Sequence, residues 1–190
     1  MLCTLLMPAA GMVLLVSAHT YYHPAAHYGW LAWLAVFAVH LVSLRRLAAV
    51  VPGKVLSIAH VLGCWMLIGV LALELRYGLL SLSSEYNAWR WLGWAILPSL
   101  YLVLAAAPRQ WPWPVAVYPR EYRVLAALPL AVLMLGWFWL ANTFSDGTAK
   151  PLPYVPLLNP LDLGLLFALL GVYRLSRSVA PQRGPRAQLI

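Results

Sequence analysis

The sequence predicts an all-α fold, a polytopic membrane helical bundle of about six transmembrane helices with a proline-rich extended segment before the last. Three observations carry this. Of 190 residues, 63% are hydrophobic and 9% charged, whereas soluble domains run at about 25% charged. The apolar residues come in blocks close to the roughly 17–25 that a bilayer crossing needs. The positive residues stand between the blocks, so the net charge of +8 reads as membrane topology and not as a nucleic-acid surface.

Residues 2–18 form the first block, with Pro8 and Gly11 as kink sites. A cleaved signal peptide is the rival reading, since Val16-Ser17-Ala18 resembles a cleavage site, although Met1-Leu2-Cys3-Thr4 lacks a positive start. Either reading places residues 19–23 outside the cytoplasm. The second helix runs from Pro24 to Leu44 and stops at Arg45-Arg46; Pro52-Gly53-Lys54 is turn chemistry. The third runs from Val55 to Tyr77 and the fourth from Glu85 to Ala107, separated by a polar loop at 81–84. Trp111-Pro112-Trp113-Pro114 marks an amphipathic connector suited to the membrane interface. The fifth runs from Tyr122 to Ala141, and Asp146-Gly147 turns the chain. The sixth runs from Pro160 to Arg174, about 22 Å at 1.5 Å per residue, which is short for a bilayer. Residues 1–178 read as one bundle and residues 179–190, with Pro181, Gly184 and Pro185, as a disordered cytoplasmic tail.

Six helices put both termini on one side. Arg45, Arg46, Lys54, Arg109, Arg120, Arg123, Arg174, Arg177, Arg183 and Arg186 fall on that side, ten of the thirteen Lys and Arg; Arg76, Arg90 and Lys150 fall on the other. The positive-inside rule makes the first side cytoplasmic. Trp and Tyr concentrate toward both sets of helix ends, which reads as two interfacial belts; an outward aromatic cleft for a lipid or glycan is the sharper alternative.

Pro151-Leu152-Pro153-Tyr154-Val155-Pro156-Leu157-Leu158-Asn159-Pro160-Leu161-Asp162-Leu163 is the most distinctive stretch. Its prolines remove backbone donors and bias their predecessors away from α geometry, so residues 151–158 are expected to be extended, packed over the outward helix ends. Asn159-Pro160-Leu161-Asp162 then starts a helix: an N-cap, a proline at the first position, and a carboxylate near the positive dipole end. The stretch resembles the LPYxPLLNPLDL signature of a family of large bacterial multi-pass inner-membrane proteins of unknown function. His23-Pro24 with Gly29-Trp30-Leu31-Ala32-Trp33, and Leu73-Glu74-Leu75-Arg76-Tyr77, are similar to that family as well. The resemblance spans most of residues 20–175 and implies architecture, with this chain as a C-terminal segment or shortened relative, but no chemistry.

The candidate site residues are Glu74, Tyr154, Asn159 and Asp162, gathered as an outward-facing polar pocket. Glu74 cannot face Arg76 two residues away on a helix, so it needs another partner, such as Arg90 or water. Its bland reading is a snorkelling interfacial carboxylate, and Asp162 and Asn159 are equally accounted for as a helix cap. His40 and His60 form a candidate intramembrane polar pair, either a hydrogen bond between helices or a proton relay. His19, His23 and His27 are spaced by four, but Pro24 interrupts them, and no metal or other cofactor is expected. Cys3 and Cys64 read as free buried thiols. Gly164, Ala168 and Gly171 give the last helix a small face for close packing, which places it centrally.

The chain carries no glycine-rich phosphate loop, no G-x-S-x-G, no H-E-x-x-H and no CxxC. No catalytic residue is assigned. The expectation is a multi-pass inner-membrane module that handles or transports a lipid, glycan or small envelope molecule. The alternatives are a membrane-embedded transferase acting on envelope lipid or glycan, and a purely structural scaffold. Expected partners are the bilayer, an envelope lipid or glycan, and other helices of a larger assembly, with no nucleic acid.

Overall fold

The computed structural model of the chain describes residues 10–13, 23–81, 88–108, 110–150, 152–153, 155 and 158–179, and among these it is helical with no strand. The helices are α1 (Gly29–Leu47), α2 (Gly53–Ser81), α3 (Ala88–Ala106), α4 (Ala127–Phe144) and α5 (Pro160–Val179). A 3-10 turn at Ala26–Tyr28 precedes α1, and a π-helical turn at Glu121–Leu125 feeds α4. Four runs, Ala26–Leu47, Gly53–Ser81, Ala88–Ala106 and Glu121–Phe144, are long and apolar enough to cross a membrane. The first expected span, residues 2–18, lies outside the described residues except for 10–13, which are helical.

Several boundaries differ from the sequence reading for identifiable reasons. The second expected helix starts at Gly29 and not at Pro24. Pro24 instead opens a turn closed by the Ala26 N–H on His23 O at 3.0 Å. His27 and Tyr28 are left-handed, at φ 49° and 65°, and the chain folds back so tightly that a Cβ on Gly29 would lie 2.0 Å from the Pro24 carbonyl oxygen. Only glycine fits there. α2 runs on to Ser81, because nothing after Tyr77 breaks it, and the Ser81 hydroxyl closes its last turn on Gly78 O at 2.6 Å. α5 reaches Val179, 20 residues in all and about 30 Å long. Ser176 and Ser178 point their hydroxyls back onto the carbonyls of Tyr173 and Leu175, at 2.8 and 2.7 Å, so their polarity does not end the helix. Residues 180–190 of the expected tail lie outside the described residues.

α3 is the centre of the bundle: it packs most extensively against α5, then against α2 and α4. Two close approaches make this so. A Cβ on Gly93 of α3 would fall 2.8 Å from the Arg76 Cα, and one on Gly171 of α5 would fall 3.1 Å from the Ser99 carbonyl oxygen. Gly164, buried Ala168 and Gly171 lie on the face of α5 that meets α3 and α4. Small residues let backbones approach, which replaces the hydrophobic drive that lipid does not supply. Pro98 sits within α3 without ending it, and the neighbouring Ser99 is fully buried.

At the end where α3 and α5 begin, the loop after α4 is stitched down by its own carbonyls. Gly147 O accepts from the Asn159 amide, Thr148 O from the Ala88 N–H at 2.8 Å, and Ala149 O and Lys150 O both from the Trp89 indole at 3.2 Å. Four successive carbonyls therefore meet donors from two helix starts, which satisfies the irregular backbone of this loop. The described residues of 151–158 are non-helical, with turns closed by the Leu152 N–H on Ala149 O and the Leu158 N–H on Val155 O. Leu152, Val155 and Leu158 are exposed, so this part is not buried over the helix ends.

Candidate functional site

Glu74 lies near the end of α2, and its partner is neither Arg90 nor Arg76. The Nδ1 of His23 lies 2.9 and 3.2 Å from its two carboxylate oxygens. One of those oxygens also accepts a short hydrogen bond from the Ala25 N–H. The His23 ring stacks on Tyr77, centroids 4.0 Å apart, one helical turn beyond Glu74. Glu74 and Tyr77 thus grip one histidine and the turn behind it, an arrangement that Pro24 and Gly29 make sterically feasible. A carboxylate only accepts, so the His23 ring donates through Nδ1. Arg76 points elsewhere, over the Trp94 ring at 5.4 Å. The two short pieces that carried the weaker resemblance, around His23-Pro24 and Leu73–Tyr77, are therefore two halves of one contact.

Beside this clamp is a cavity of about 410 Å³ whose described wall includes Ala10, His23, Gly29, Ala32, Trp33 and Val36. His23 belongs both to the cavity wall and to the contact with Glu74. The rest of the wall is mostly apolar, with His27 as a second imidazole.

Asn159 is 2% exposed and does two things at once. Its Oδ1 accepts from the Leu161 N–H at 3.0 Å, capping α5, while its amide donates to Gly147 O. Asp162 is half-buried in the first turn of α5. Tyr154 lies outside the described residues. α3 stands between α2, which carries Glu74, and α5, which carries Asn159 and Asp162.

The other end of α2 carries a polar seam. Ser57, His60 and Cys64 recur at three and four residues, one face of a helix. The Ser57 hydroxyl donates to Glu121 at 2.7 Å. The His60 Nδ1 shares a hydrogen bond with the Tyr122 hydroxyl at 2.9 Å, and its ring lies 4.1 Å from that of Tyr118. Tyr101 donates to the Tyr122 carbonyl and meets the Cys64 thiol. The π-helical turn sets this up: the Ala126 N–H reaches back to Glu121 O at 2.8 Å, leaving the Tyr122 carbonyl to the Tyr101 side chain. π-turns of this kind often accompany functional positions. His40 approaches from α1, hydrogen-bonded at the Ala59 backbone, with its Nε2 over Gly63. The Nε2 atoms of His40 and His60 are both buried without a hydrogen-bond partner, so neither bridges the two rings.

Sequence reasoning missed Tyr101, Tyr118, Tyr122 and Glu121 as partners of the seam. The signal was present in the Tyr118-Pro119-Arg120-Glu121-Tyr122 run, but only the fold puts that run opposite Ser57 and His60.

Packed apolar helices, four of them long and apolar enough to cross a membrane, define a multi-pass membrane protein. The chain belongs to the family described as predicted membrane protein (DUF2339), whose model matches residues 1–190. No curated protein and no solved structure matches it.

Proposed function

We propose that this chain is a six-span module of a bacterial inner membrane, both termini cytoplasmic, that binds a small envelope lipid or glycolipid in the cavity beside His23. In this reading residues 2–18 and α5 complete the six spans, and the proline-rich segment lies on the outward side. The observation that carries it is the His23–Glu74 pair, with Nδ1 2.9 Å from the carboxylate, at the edge of an otherwise mostly apolar cavity of about 410 Å³. A mostly apolar wall with a few fixed polar groups is how small-molecule sites are built, the polar groups setting orientation. Glu74 and Tyr77 fix the imidazole, and Trp33 and Val36 supply apolar contact. Asn159 and Asp162 belong, in this reading, to the support of the outward end, where Asn159 holds the loop that covers the helix starts. A photoreactive residue placed at Val36 in the full chain tests the proposal. Irradiated in native membranes, it is expected to capture one lipid class enriched over bulk lipid, with loss of that class in Ala32→Trp. The same probe at Val132, 70% exposed on α4, is expected to return the bulk composition. Bulk composition at Val36 as well would overturn the proposal.

A further inference from the structure

The opposite end of the bundle holds a second compartment, and we infer that it is a binding site for an anionic phospholipid, with the headgroup at its mouth and the start of an acyl chain within. The segment after α3 cannot continue as helix, because Pro108, Pro112, Pro114 and Pro119 lack donors. It turns across the end instead, closed by the Val117 and Tyr118 N–H groups on Pro114 O at 3.2 and 3.0 Å. Arg45 lies 5.8 Å over the Trp113 ring and ties this strap to α1.

Under the strap are two adjoining cavities that share Trp111, Val115 and Arg123 in their walls. The inner, about 130 Å³, is completed by Tyr101, Leu104, Ala105 and Tyr122. The outer, about 460 Å³, opens between Gln110, Ala116 and the prolines that flank the strap. Arg123 belongs to both walls; around it the inner wall is otherwise aliphatic and aromatic, and the outer adds the Gln110 amide, an arrangement that fits an amphiphile. The surrounding charge is mostly positive: Arg46, Lys54, Arg120, Arg174 and Arg177 belong to the same end. The one nearby acid, Glu121, is in neither wall and meets Ser57 of α2. An arginine fork matches a phosphate by charge and by geometry, and basic residues at a membrane surface favour anionic lipids. The aliphatic and aromatic remainder of the inner wall suits an acyl chain, so a lipid fits better than inorganic phosphate. This site stands whether or not the His23 cavity binds anything.

Native mass spectrometry of the full chain in detergent, titrated with phosphatidylglycerol, phosphatidylcholine or inorganic phosphate, tests it. Phosphatidylglycerol is expected to bind about five- to tenfold more tightly than phosphatidylcholine. Arg123→Gln is expected to erase that preference, and Ala116→Trp, which leaves the charge intact, to lower occupancy by both lipids. Arg174→Gln, at the same end but in neither wall, is expected to keep the preference. Equal binding of the two lipids by the unmodified chain, or a loss in Arg174→Gln equal to that in Arg123→Gln, would overturn the inference. So would displacement of bound phosphatidylglycerol by millimolar inorganic phosphate, which would assign the site to the free ion.

Discussion

Glu74 and Glu121 sit at opposite ends of α2's neighbourhood, and the protein treats them differently. Glu74 takes a histidine ring, a backbone N–H and, through the stack on Tyr77, a whole turn of chain. Its contacts join segments about fifty residues apart, at separations of 49 and 51. Glu121 takes one serine hydroxyl at 2.7 Å and starts a π-helical turn. Around Glu74 the contacts form a closed clamp that fixes where α1 begins. Around Glu121 the network includes two imidazole nitrogens buried without partners, and Tyr122 and Tyr101 of the same seam line a cavity with Arg123. A carboxylate can thus be an organiser of backbone at one end and a member of a loosely satisfied seam at the other, with the same charge.

The sharpest way to break that contrast is Glu74→Ala. It leaves the Ala25 N–H and the His23 ring without their acceptor, and an unsatisfied buried donor costs about 1–3 kcal/mol. The pair is partly exposed, with side chains 25% and 29% accessible, which keeps the figure toward the low end. The expected outcome is a drop in melting temperature in detergent and faster proteolysis near residue 28. An unchanged melt and cleavage pattern would mean that the turn before α1 holds itself.

The comparison sharpens with Ser57→Ala. It removes a single neutral donor from Glu121, whose carboxylate can turn to water at its half-exposed position, so about 0.5–1.5 kcal/mol is expected. A loss larger than that of Glu74→Ala, measured by the same melt, would reverse the ranking of the two ends.

The parts of this fold legible in the sequence are those written in local pattern. Apolar blocks between arginines gave helices, and Gly164, Ala168 and Gly171 gave the face that α5 turns to α3. Asn159 read directly as a cap, because capping needs only its neighbours two residues on. The clamp was not legible, because a carboxylate at position 74 carries no mark that its partner is His23. Proline at 24 pointed to a helix start, yet the long-range contact and the left-handed His27 and Tyr28 moved it to Gly29. The seam failed for a similar reason: His60 announced a polar need, but its answer came from Tyr122 across a connector whose path local rules do not set. The family match covers the whole chain and supports the membrane class, while the proline-rich motif stays a matter of resemblance.

The smallest expected effect separates capping from site chemistry at the Glu74 end. Asn159 already satisfies the Leu161 N–H at 3.0 Å and ties α5 to Gly147. Asp162, one residue further into the first turn, adds charge near the positive end of the helix dipole, worth about 0.3–1 kcal/mol at a half-exposed position. Asp162→Asn keeps the shape and one accepting oxygen, and replaces the charged carboxylate with a neutral amide. The melting temperature is expected to fall by no more than that term predicts, and lipid capture at Val36 to stay unchanged, because α3 stands between α5 and the helix that carries the clamp. If Asp162→Asn instead abolished capture while the melt held, Asp162 would belong to the binding site, and this end of the bundle would work as one pocket spanning α2 to α5.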